Sequence, residues 1–136
     1  MLEDLYQEMI LDHNQHPHHY GVLEAATHHA HGYNPLCGDE FDVYLRIEEG
    51  RIADIRFTGQ GCAISKSSAS IMTDELIGKT LDEASVLFED FHELLTSETG
   101  TGAKLGKAQV FSGVREFPAR VKCATLAWHT FKSALE

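Results

Sequence analysis

Three cysteines, Cys37, Cys62 and Cys123, carry most of the chemistry open to this 136-residue chain. Each sits in a context that bears on its thiol. Cys37 lies in Asn34-Pro35-Leu36-Cys37-Gly38-Asp39, a turn between two predicted strands. Gly38 permits tight backbone geometry there, so the Cys37 thiol and the Asp39 carboxylate can point to one side. Cys62 follows Gly59-Gln60-Gly61 and opens a predicted helix, where the macrodipole and free N–H groups favour the thiolate. Cys123 falls in the first turns of the last helix, beside Lys122 and near Arg120, and positive charge again favours the thiolate. The cysteines are 25 and 61 residues apart, unlike the short C-x-x-C knuckles of zinc fingers, so the fold would have to assemble any shared site. Three soft thiolates and one hard carboxylate suit four-coordinate zinc or iron. A carboxylate in place of a fourth thiolate holds soft metal less firmly, which suits a site meant to release its cargo. Spacing leaves a second reading open, in which each cysteine is a small buried hydrophobe and Asp39 a turn residue.

The rest of the composition narrows the class. The length predicts one domain over residues 1–136, long enough to fold without disulfides. Eleven basic against twenty-one acidic residues give a net charge of −10, which argues against nucleic-acid and anionic-membrane partners. The start, Met1-Leu2-Glu3-Asp4-Leu5-Tyr6, is acidic and leads into no apolar signal core, and no apolar run approaches a membrane span. A cytoplasmic chain with reduced thiols is therefore expected, and its odd number of cysteines points to metal or thiol chemistry.

Elements must then position the thiols. Leu2, Leu5, Tyr6, Met9 and Ile10 recur at helical spacing over 2–14, and Pro17 ends that helix. Residues 16–32 read as loop, and the histidines at 13, 16, 18, 19, 28, 29 and 31 as solvated side chains. Phe41, Val43, Leu45 and Ile47 alternate with polar residues, Glu49-Gly50 turns the chain, and Ala53, Ile55 and Phe57 resume the alternation. A third strand is expected within 29–36, because two strands alone are marginal. A helix over 63–77 ends at Gly78, and Thr80 with Glu83 forms a capping box for a helix burying Leu81, Ala84, Leu87, Phe88, Phe91 and Leu95. The glycine-rich stretch 96–106 reads as a flexible loop, followed by a short helical turn at Val110-Phe111. Pro118 opens a last helix with Val121, Ala124, Trp128, Phe131 and Leu135 on one face. The class is α+β, a small three-stranded antiparallel sheet with helices packed on it.

Three segments narrow the reading further. Asn34-Pro35-Leu36-Cys37-Gly38-Asp39, Gly59-Gln60-Gly61-Cys62-Ala63-Ile64-Ser65 and Pro118-Ala119-Arg120-Val121-Lys122-Cys123-Ala124 resemble, in order, the three blocks of the U-type (IscU/SufU/NifU-like) iron–sulfur assembly scaffolds. The resemblance runs over essentially the whole chain. It implies a SufE/NifU-like fold and a surface-near metal site of Cys37, Asp39, Cys62 and Cys123. It also implies a pyridoxal-phosphate cysteine desulfurase of SufS type as sulfur donor and iron–sulfur acceptor proteins downstream. Lys122 stands where IscU members have histidine, and Phe117-Pro118-Ala119-Arg120-Val121-Lys122 replaces their chaperone-recognition motif. With the longer stretch between Cys62 and Cys123, these departures resemble the SufU branch. In that branch zinc rests on all four ligands, or a transient iron–sulfur cluster does, and Cys37 accepts the persulfide sulfur, whereas in the IscU branch the acceptor corresponds to Cys123. The competing expectations are a structural zinc-binding interaction module and a thiol hydrolase built on Cys37 with a histidine base.

Overall fold

The computed structural model describes residues 2–97 and 100–136. The elements run in the order α1 (Leu2–Gln15), β1 (His28–Asn34), β2 (Asp39–Glu48), β3 (Arg51–Gln60), α2 (Ala63–Leu76), α3 (Leu81–Thr96), a 3-10 helix (Lys107–Glu116) and α4 (Pro118–Ala134). The three strands form one antiparallel sheet in sequential order, and the helices pack on its apolar face, as the alternating pattern requires. Among the described residues no helix is long and apolar enough to cross a membrane.

The alternation of β2 puts Phe41, Val43 and Leu45 fully out of solvent. On β3 the buried residues are Ile52, Ile55 and Phe57, so Ile52 takes the core place expected for Ala53. The cause is a break in register between Arg46 and Ile47, which shifts the phase of the pairing at the hairpin end. β1 starts at His28 and reaches back into the stretch read as loop, because its backbone finds seven partners along β2.

α4 lies across β1 and β2, and α2 lies over β3. α2 can approach its neighbours closely because its buried first half is made of small residues, Ser65, Ser67, Ser68, Ala69 and Ser70. Two hydrogen bonds fasten it to α4: Ser68 Oγ donates to the Ala124 carbonyl at 2.5 Å, and Trp128 Nε1 donates to Ser68 Oγ at 3.2 Å. Trp128 is buried and stacks on Phe91 of α3 with ring centroids 4.3 Å apart. α3 opens with the expected capping box, Thr80 and Glu83 each bonding the other's backbone N–H.

Two further expectations need correction. The short turn at Val110-Phe111 is a ten-residue 3-10 helix, anchored by buried Ala108, Val110, Phe111 and Val114. On α1, Tyr6, Met9 and Ile10 pack on the core but Leu5 is mostly exposed, because it lies off the stripe that faces α2. The side chain of Leu2 and residues 98–99 of the glycine-rich stretch fall outside the described residues.

Candidate metal centre

The strand register creates the site. Asn34 pairs with Asp39 across β1 and β2, and Glu40 pairs with Gln60 across β2 and β3. The turn carrying Cys37 and the exit of β3 toward Cys62 therefore lie at the same end of the sheet. Within the turn, Asn34 Oδ1 accepts the Leu36 N–H at 3.1 Å and the Asn34 carbonyl accepts the Gly38 N–H at 2.8 Å. Gly38 has φ +72°, a left-handed conformation that a side chain would strain. Cys37 is thereby held at an exposed turn tip.

Asp39 is fully buried. Its Oδ1 accepts the Cys62 N–H at 3.0 Å, while its Oδ2 is buried with no hydrogen-bond partner. A buried carboxylate oxygen left without a partner costs about 1–3 kcal/mol or more. A cation would remove that cost. Cys123 enters from α4, fully buried, with its sulfur 3.0 Å from Cys37 Sγ and 3.6 Å from the Ala119 carbonyl. One donor atom each from Cys37, Asp39 and Cys123 lies within 4.8 Å of the others. Sulfurs on one tetrahedral zinc sit about 3.8 Å apart, so loading would part these two by somewhat under 1 Å.

Cys62 stands slightly aside. It is the N-cap of α2, its sulfur accepting the Ser65 N–H at 3.5 Å, and it does not lie within the same reach of all three others. Its proximity is nevertheless felt at Cys123. Burial, then the hydrogen bond to Cys37 and the charge of Cys62, push the Cys123 thiol far above its ordinary range. This reverses the expectation from Lys122 and Arg120: both side chains are exposed, whereas the sulfur is buried. Without a cation Cys123 is a neutral thiol.

Gly61, which in the sequence only precedes Cys62, abuts the site. A Cβ there would fall 2.6 Å from Asp39 Oδ1 and against Ser65 Oγ. Gly61→Ala must therefore shift either the carboxylate or the start of α2, at a cost of about 1–3 kcal/mol. Denaturant unfolding should show that loss, and competition with a chromophoric chelator should show weakened zinc binding.

The histidines divide. His16, His29 and His31 are exposed, the last two pairing with Asp42 on the outer sheet face. His13 is 3% exposed and extends the Tyr6–Met9–Ile10 stripe of α1 by one turn, a spacing signal that marks it as inward-facing. Burial, and after it neighbouring His18, lower its pKa.

A protein-family model, NifU-like N-terminal domain, matches residues 5–130. The iron–sulfur cluster assembly scaffold protein IscU of Streptococcus pyogenes is 40% identical over 99% of this chain and 85% of its own length. The zinc-dependent sulfurtransferase SufU of Bacillus subtilis is 34% identical over 98% of this chain and 91% of its own. The crystal structure of FiSufU from Fervidobacterium islandicum, assigned as a SUF-system scaffold, superposes with a TM-score of 0.91 at 34% identity, covering 98% of each chain. The chain thus belongs to the NifU-like N-terminal domain family, the family of the IscU and SufU iron–sulfur cluster assembly proteins.

Proposed function

We propose that the chain, acting as one domain in the reducing cytoplasm, accepts persulfide sulfur from a SufS-type cysteine desulfurase at a Cys37–Asp39–Cys62–Cys123 site. It passes sulfur, or a cluster built on that sulfur, to iron–sulfur acceptor proteins. The observation that carries this reading is the contrast at the centre: one exposed thiol, Cys37, set 3.0 Å from a buried one and beside a buried carboxylate oxygen without a partner. The donor set fits zinc, and zinc when bound there keeps the thiols as thiolates.

Cys37 is the acceptor on grounds of reach. Its thiolate attacks the outer sulfur of the donor's persulfide, forming a new S–S bond on Cys37 and releasing the donor cysteine as thiolate. Such exchange needs an unhindered approach to sulfur, which the turn tip supplies and the buried Cys123 does not. Asp39, Cys62 and Cys123 would hold the cation while Cys37 is engaged. The same four ligands suit a small iron–sulfur cluster as cargo.

The deciding experiment measures alanine release from cysteine by the organism's own desulfurase, with this protein added zinc-loaded or zinc-stripped. Strong stimulation by the loaded form alone supports zinc-dependent sulfur transfer. Equal rates with and without the protein would overturn it.

A further inference from the structure

A second convergence of metal-ligating side chains lies near the other end of α2. His13 comes from the last turns of α1, His18 from the loop after it, and Asp74 from the last turn of α2. One donor atom from each lies within 4.8 Å of the others. From Cys62 to Asp74 the helix climbs about 18 Å, so the cluster is separate from the thiol site.

The supporting contacts are specific. Ser70 and Asp74 stand four residues apart and share one face of α2. Ser70 Oγ lies 2.7 Å from His13 Nδ1 and accepts the His18 N–H at 2.7 Å. His18 Nδ1 lies 2.7 Å from Asp74 Oδ2. His19 Nδ1 bonds Thr73 Oγ1 at 2.9 Å and lies 3.5 Å from Asp74 Oδ1. The His13 and His18 rings are 4.3 Å apart, close enough to turn two nitrogens to one point.

We propose that His13, His18 and Asp74 form a second binding site for a divalent first-row cation, zinc or ferrous iron, with His19 as the nearest further donor. Two imidazole nitrogens and a carboxylate oxygen are donors these ions favour, and the set leaves coordination positions for water or a further ligand. His18 and Asp74, now joined by a 2.7 Å hydrogen bond, would exchange that bond for the shared cation. Ser70 and Thr73 orient the rings as outer hydroxyls do at such sites. The present counter-ion is Lys107, whose Nζ lies 2.8 Å from Asp74 Oδ2. Its side chain is half exposed on a flexible stem, and it swings outward when the cation enters.

The test is a zinc titration of the metal-stripped full chain, with cobalt(II) absorption as second readout. The wild-type chain is expected to take two equivalents. His18→Ala and Asp74→Ala are expected to take one and to keep the intense cobalt–thiolate band, which reports an intact thiol site and fold. Lys107→Ala, which removes the competing charge, is expected to bind the second equivalent about tenfold more tightly. A wild-type chain that binds a single equivalent overturns the site, as does a second equivalent unchanged in both ligand variants. Where those variants do not fold, Lys107→Ala decides alone, and unchanged affinity for the second equivalent overturns the site.

Discussion

Cys37→Ala is expected to lower sulfur uptake from a cysteine desulfurase by at least about 100-fold, a conservative bound for removing a nucleophile. The argument rests on access. Cys37 is the exposed thiol of the three, Cys62 is half-buried as the N-cap of α2, and Cys123 is fully buried with its thiol held neutral. Intact-mass measurement after a single turnover checks it directly. The wild-type chain should gain the mass of one sulfur atom, lost again on treatment with a reducing thiol. The Cys37→Ala chain should gain none. Because the substitution sits at a turn tip, it should leave the circular dichroism spectrum and the melting of the metal-free chain nearly unchanged. A sulfur adduct on Cys123 of the variant would move the acceptor role to α4.

Zinc removal should lower the melting temperature by on the order of 10–20 °C without unfolding the chain. A cation at free concentrations near a thousand times its Kd stabilises by about 4 kcal/mol. For a domain of this size each kcal/mol moves the melting temperature by several degrees. The chain should stay folded because its core does not run through the thiol site. Phe41, Val43, Leu45, Ile52, Ile55 and Phe57 of the sheet pack with Ile71, Met72, Phe91, Phe111, Trp128 and Phe131 in one continuous buried cluster. A structural zinc module behaves otherwise, losing its fold with its metal. Loss of helical dichroism on chelation would favour that reading. Asp39→Asn sharpens the measurement. An amide oxygen still accepts the Cys62 N–H, and the oxygen without a partner gives way to an amide nitrogen of similar size, so the metal-free chain should melt close to wild type. The share of the zinc-induced rise that comes from the thiol site should largely vanish, since a neutral amide is a poor substitute for the carboxylate ligand.

Much of this architecture is legible in local pattern. The alternation of Phe41 to Leu45, the Thr80–Glu83 capping box and Pro118 at the start of α4 each follow from forces acting over a few residues, and the structure has them where those forces put them. The sites of misreading are those where distant pairing overrode a local pattern. Ile52 replaces Ala53 in the core because the register breaks at Arg46/Ile47, and the polar residues from His28 became strand because β2 offered them partners. For the thiol site, the sequence determined its candidates: a cysteine in a glycine turn, a cysteine at a helix start, a cysteine on the last helix and an aspartate two residues after the first. Which of them lie within reach of one another was decided by the tertiary structure. Strand register sets Asp39 against Cys62, and the crossing of α4 over β1 and β2 buries Cys123 beneath Cys37. The neutral state of Cys123 and the meeting of His13, His18 and Asp74 have the same origin. Burial and through-space proximity depend on how helices and strands pack, and residues 86 positions apart carry no local mark that they will touch.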